Sequence, residues 1–152
     1  MTDWKARLAE LRIELPPVAA PVAAYVPAVQ TGNLVYTSGQ LPFVDGELQL
    51  TGKVGGAVDA ESANLAARTC ALNALAAIDA LVGLDSVVRI VKVVGFVASA
   101  DGFTGQPGVV NGASQLIGEV FGDAGVHARS AVGVAELPLG APVEVEVIAE
   151  VR

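Results

Sequence analysis

Charge is scarce in this chain, and basic charge scarcest. Lys, Arg, Asp and Glu together make up 16% of 152 residues, against about 25% in an ordinary soluble protein. The nine basic residues form no cluster and the formal net charge is −7. A phosphate backbone is gripped by local positive charge, so nucleic acid is not an expected partner. Cysteine occurs once, at Cys70, which excludes an internal disulfide and suits a reducing cytoplasm. Histidine also occurs once, at His127, and no spacing of His, Cys and carboxylates suggests a metal site. Asp3, Lys5, Arg7 and Glu10 stand where a secretion signal would need an apolar run, so none is expected. No uncharged apolar stretch reaches the length of a bilayer span, so no membrane is expected either.

What the chain has in excess is apolar side chain: AVILMFWYC residues reach 53%. A monomer with so few charges covers its own surface poorly, and burying part of it in an oligomer is the economical expectation. The length is that of one domain, residues 1–152. A helix is expected over residues 1–15, capped by Thr2 or Asp3, with Trp4, Leu8, Leu11 and Leu15 near helical spacing, ending at Pro16-Pro17. The four prolines within 16–27 make an extended connector. Residues 29–38 are strand-like, and Asp45-Gly46 marks a hairpin turn between 41–44 and 47–50. The run Gly52-Lys53-Val54-Gly55-Gly56 lacks the earlier glycine and the following Ser or Thr of a phosphate loop, and reads as a plain loop.

Asp59 caps an expected helix over 60–82, with Ala63, Ala66, Ala67, Cys70, Ala74, Ala77, Ile78 and Leu81 on one face and Gly83 as its stop. Cys70 in the middle of that face reads as a buried, inert thiol. Residues 87–97 are β-branched and apolar on both sides, as a covered central strand is. A second long helix follows at about 109–121, then two alternating strands. The order of elements predicts a two-layer α+β domain with the helices on one sheet face.

The closing strands carry the chemistry. Ser130, Val132 and Val134 alternate with Arg129, Ala131 and Gly133, and Val143, Val145 and Val147 alternate with Glu144 and Glu146. Paired antiparallel with the valine faces together, they would put Arg129, Glu144 and Glu146 on one face over the small residues Ala131 and Gly133. That arrangement leaves room for a small carboxylate ligand; the alternative is a solvated strand face with a surface ion pair. His127 is either an acid/base group or a capping residue. Ser38 and Ser130 lack the Gly-x-Ser-x-Gly setting of an exposed nucleophile.

Arg129-Ser130, the alternating strand, Leu137-Pro138 and the Val-Glu-Val-Glu run resemble the closing signature of the YjgF/RidA reactive-intermediate deaminases, also known as L-PSP endoribonucleases. Tyr25-Val26 and Gly32-Asn33-Leu34-Val35-Tyr36-Thr37-Ser38-Gly39-Gln40-Leu41-Pro42 resemble the family's other signature, so the likeness spans about residues 20–152. The resemblance implies a chorismate-mutase-like fold, a mixed sheet with two main helices on one face, assembled as a homotrimer with clefts between subunits. It implies hydrolysis of enamines and imines such as 2-aminoacrylate and 2-iminopropanoate to 2-oxo acids and ammonia, without metal or organic cofactor.

By motif position, Arg129 would grip the substrate carboxylate and Glu144 would hold the attacking water. Tyr25, Gly39, Asn111 and Ala131 would contact the ligand. Two positions depart from the family: Ala131 replaces a cysteine, and Ser114 replaces an aromatic. The helix at 1–15 is an addition, which makes the chain look like a divergent branch. A carboxylate sensor using the same Arg129 cleft without chemistry is the alternative function, and a ribonuclease a third.

Overall fold

The last strand sets the two sides of the molecule. From Val143 to Val151 valine or alanine alternates with glutamate or isoleucine, and Val143, Val145, Val147, Ala149 and Val151 are all buried. Period-two alternation puts one such set on each face of a sheet. The computed structural model describes residues 3–19 and 24–152. Its elements are α1 (Trp4–Glu10), β1 (Ala28–Thr31), β2 (Leu34–Thr37), β3 (Phe43–Val44), β4 (Glu47–Leu48), α2 (Ala60–Val82), β5 (Val87–Ala98), α3 (Gln106–Phe121), β6 (Ala128–Val134) and β7 (Val143–Val151). Five strands form one mixed sheet in the order β1-β2-β7-β5-β6, and β3 pairs with β4 as a separate hairpin. Neighbours in the main sheet are antiparallel except β5 and β6. The buried valines of β7 pack with the inner faces of α2 and α3 in one core.

The two closing strands do not pair with each other, contrary to the expectation from their alternation. β5 lies between them, antiparallel to β7 and parallel to β6. The C-terminal end of β5 is wedged into the link between them: Ala98 N donates to Pro142 O at 3.0 Å, and Ser99 N to Val134 O at 3.0 Å. β5 is the longest strand and the most continuously apolar, so two neighbours bury it better than a place at the edge would.

Residues 29–38 form a tight hairpin rather than one strand, because Gly32 (φ +56°) turns the chain and Ala28 faces Thr37. At the Asp45-Gly46 turn the expectation holds, with φ +52° and +80° at the two positions, the signature of a type I′ turn.

α1 also ends early, at Glu10. Arg12 takes a left-handed φ of +57° and Ile13 N donates to Leu8 O at 2.9 Å, so Leu11, Ile13 and Leu15 reach the core from a turn. Asp3 caps α1, its carboxylate accepting from Ala6 N at 2.9 Å; Thr2 lies outside the described residues. The helix buttresses one end of the sheet. Trp4 stands edge-on to Phe121 with ring centres 5.0 Å apart and donates from Nε1 to Val87 O at 2.8 Å. Lys5 pairs with Asp79 at 3.2 Å, and Arg7 Nε donates to Glu119 O at 3.1 Å.

α2 runs as expected, with Asp59 accepting from Ser62 N at 2.7 Å and Gly83 closing it at φ +80°. Of the face expected to be buried, Leu81 is the exception, at 45% exposed. By length and composition α2 could cross a bilayer, yet more than half of its apolar window is buried in the fold, as in the core helix of a globular domain. Its small residues let α3 lie close. A Cβ on Gly112 of α3 would overlap the Asn64 carbonyl oxygen of α2, and a Cβ on Gly95 of β5 would overlap Val110 of α3.

This crowding predicts the sign of one substitution. Ala is the better helix former by about 1 kcal/mol, but Gly112→Ala must push α2 and α3 apart, and overpacking of that kind costs about 1–3 kcal/mol. We expect a net loss in urea denaturation. A variant more stable than the parent would show that the helices can separate freely.

Candidate functional site

The register that separates β6 from β7 also separates the two charged residues expected to work together. Arg129 stands opposite Val93, which faces Val147, both buried on the helix side. Glu144 stands opposite Phe96, which faces Val132, on the side without helices. Within one chain, therefore, Arg129 does not share a face with Glu144 and Glu146; Arg129 and Glu144 lie on opposite faces, two strands or about 10 Å apart across the sheet and about 10 Å apart along it. The face expectation had the strands paired directly with the valines of both on one side. Instead Arg129, Ala131 and Gly133 share the side of Val143, Val145 and Val147, while Ser130, Val132 and Val134 share that of Glu144 and Glu146.

On the helix side, α3 and β6 gather a polar cluster. Arg129 Nη1 donates to Asn111 Oδ1 at 2.8 Å and to Ser114 Oγ at 3.3 Å, and Nη2 donates to Pro107 O at 3.3 Å. His127 lies against the same hydroxyl, its Nε2 2.9 Å from Ser114 Oγ and its Nδ1 2.6 Å from Gly125 O. Among the described residues, no acceptor meets Arg129 Nε–H. Asn111 and Arg129 are thus in contact, and Ala131 follows Arg129 on the same side of the strand. Ser114, expected only as the replacement of an aromatic, and His127, expected as an acid/base or capping group, join them through contacts the motifs did not imply. Their signal was in the sequence: residues 111 and 114 share a helix face at i,i+3, and residues 127 and 129 share a strand side.

On the other face, the segment after β2 runs along β7. Gln40 N donates to Val145 O at 2.8 Å and Val145 N to Gln40 O at 3.0 Å. Gly39 is thereby laid over Glu144, where a Cβ would come 2.6 Å from Oε2. Any side chain at Gly39 would displace the carboxylate. Tyr25, 43% exposed, is tied to this corner through its neighbour, since Ser38 Oγ donates to Val26 O at 2.6 Å. Glu144 carries no ion pair or hydrogen bond to another described side chain. Burial, and secondarily the charge of Glu146, hold its carboxyl above the usual range. Burial also pushes the Cys70 thiol up, with Glu144 adding to it, so that thiol stays protonated and inert. Among the described residues no group of three or more His, Cys, Asp or Glu could hold a metal ion. A groove of about 880 Å³ between the connector, α2 and the β3–β4 hairpin includes none of these residues.

Fold and motifs define a protein of the YjgF/L-PSP class, and comparison with known proteins places the chain there: residues 17–151 match the family model Endoribonuclease L-PSP. The chain belongs to this family. It is 47% identical over 149 residues to Protein TCP17 of Trypanosoma cruzi, covering 97% of this chain and 93% of that one. A crystal structure of Atu1372 from Agrobacterium tumefaciens, a protein of unknown function, shares 48% identity and superposes with a TM-score of 0.89 over 98% of this chain and 92% of that one. E. coli TdcF, crystallised with bound serine, shares 29% identity with a TM-score of 0.64 over 89% of this chain and 93% of that one.

The state of Glu144 makes a prediction about stability. A carboxyl raised in the folded chain holds its proton where the unfolded chain has lost it, so it favours folding below the unfolded value. That contribution is lost as pH rises through the folded value. Glu144→Gln removes the penalty, and its melting temperature should exceed that of the parent by a margin that widens as pH climbs above about 4.5. Melting curves from pH 4 to 8 test this; a constant margin would mean that Glu144 is not strained by burial.

Proposed function

We propose that the chain assembles as a homotrimer and hydrolyses small reactive enamines and imines, of the 2-aminoacrylate and 2-iminopropanoate type, to 2-oxo acids and ammonia in clefts between subunits. The observation that carries this reading is the division of the site. Glu144 lies unpartnered under Gly39 on a face that also presents Val29, Tyr36 and Val132, each at least 40% exposed. Arg129 lies at the open edge strand β6 on the other side. Association through the helix-free face covers that apolar surface and can bring the Arg129 edge of one subunit to the Glu144 face of another. A ligand carboxylate suits Arg129, whose planar fork is always charged. The serine bound to TdcF is a molecule of this kind.

The chemistry follows from the residues. Water adds its oxygen to the carbon of the protonated imine while Glu144 takes its proton and the C=N π electrons return to nitrogen; a carboxylate with a raised pKa is the better base for this. The neutral carbinolamine takes that proton from Glu144 onto its nitrogen, and the C–N bond then breaks to release ammonia as the hydroxyl oxygen forms the carbonyl and gives its proton to Glu144. Arg129 keeps the carboxylate in place throughout. The family description names a ribonuclease, but four of the basic side chains are spent in ion pairs with Asp79, Glu10, Glu136 and Glu119, and the net charge repels phosphate.

Freshly generated 2-iminopropanoate supplies the assay. Arg129→Lys keeps the charge but loses the fork, and affinity for 2-oxo acids should fall by about 1–3 kcal/mol. Glu144→Gln should bind as the parent does while turnover drops, since only the transition state loses an interaction. Wild-type turnover in Glu144→Gln would remove it as the base, and binding with no turnover in the parent would make the protein a sensor. RNA cleavage that disappears in Arg129→Ala would favour the nuclease.

Sedimentation equilibrium tests the assembly separately. We expect a trimer, and a stable monomer at micromolar concentration would overturn the shared site.

A further inference from the structure

The geometry points to Ser114 and His127 as a positioning pair that locks the Arg129 guanidinium and leaves its Nε side open to a ligand. The direction of every hydrogen bond in the chain of contacts can be worked out from its far end. The Gly125 carbonyl can only accept, so His127 Nδ1, 2.6 Å away, carries the ring proton. In the neutral ring Nε2 can then only accept, and the Ser114 hydroxyl 2.9 Å away donates to it. With its hydrogen committed, Ser114 Oγ presents lone pairs to Arg129 Nη1 at 3.3 Å. Asn111 Oδ1 takes Nη1 at 2.8 Å and Pro107 O takes Nη2 at 3.3 Å. Three acceptors around one end of a planar cation fix both its place and its plane.

A free serine hydroxyl could rotate its hydrogen toward the guanidinium and repel it. The imidazole prevents that rotation, which gives the only histidine of the chain a role without contact to substrate. What remains for a ligand is Nε–H and one Nη2 hydrogen, donors suited to the oxygens of a carboxylate. A phenyl ring at position 114 could supply no such acceptor, so the orientation that His127 imposes depends on the Ser114 hydroxyl.

The ligand-binding part of the inference rests on the carboxylate reading of Arg129; the orientation of the pair does not. Imidazole ¹⁵N spectra of the free protein test the orientation directly, because one histidine gives one pair of resonances. We expect the Nδ1–H tautomer, an Nε2 resonance that moves in Ser114→Ala, and rotation about the Arg129 Nε–Cζ bond that is slow in the parent and faster in that variant. The Nε2–H tautomer, or a guanidinium indifferent to Ser114→Ala, would overturn the proposal whatever the protein binds.

Titration with pyruvate tests the consequence. Ser114→Ala and His127→Ala should each weaken binding about tenfold. The double variant should bind no more weakly than the worse single, and Ser114→Thr, which keeps the hydroxyl, should stay within about twofold of the parent. Losses that multiply in the double variant, or full affinity in Ser114→Ala, would show that the pair does not act through Arg129. If the parent itself does not bind pyruvate while the spectra are as expected, the carboxylate reading fails and the locked guanidinium stands.

Discussion

Everything in this molecule depends on the alternation of β7 beside the apolar strand β5. Five inward side chains of β7 are buried, and the residues between them, Glu144, Glu146, Ile148 and Glu150, are only partly covered. Slipping this strand by one residue would bury three carboxylates under α2 and α3 and expose the valines, a change costing several kcal/mol per buried charge. The register is therefore rigidly specified. Because β5 pairs with β7 on one side and β6 on the other, the same choice decides which way Arg129 points.

A rigid register has a chemical consequence. It holds a cation on one face and a raised carboxylate on the other, where they cannot neutralise each other. Had the closing strands paired as their alternation suggested, Arg129 would lie near Glu144 and hold its carboxyl low. A carboxylate paired in that way is a weak base. Separation within the chain leaves burial and the charge of Glu146 to hold the Glu144 carboxyl up.

Local features were the legible ones. Asp59 and Gly83 mark α2 to the residue, and Asp45-Gly46 marks its hairpin, because a cap or a left-handed turn is decided by one or two side chains. The family signatures singled out Arg129, Asn111, Gly39 and Glu144 as one set; in the fold Arg129 meets Asn111 and Gly39 lies over Glu144, on opposite faces of the sheet. What the sequence did not disclose is which strand lies beside which. β6 and β7 are consecutive and both alternate, and only the competition of β5 for two partners, a long-range matter, decides against a hairpin. The Gly32-Asn33 turn was available from composition, but the β-rich residues on both sides of it hid the break. Ser114 stood out in the sequence only as a missing aromatic, since its partner His127 lies thirteen residues away across the turn that ends α3.

Packing carries the final link to the site. Asn111 and Ser114 reach Arg129 from α3, and α3 can lie so close to β5 and α2 only because Gly95 and Gly112 leave no Cβ between the backbones. A helix held even 1 Å farther out would stretch the 3.3 Å contact between Arg129 and Ser114 beyond hydrogen-bond length. Gly112, Ala113 and Ser114 are consecutive: the first two turn into the core, and the third turns out to the edge. Small residues that let the helices pack and the hydroxyl that meets Arg129 thus belong to a single turn of one helix. The stability of that turn and the orientation of the guanidinium are set together.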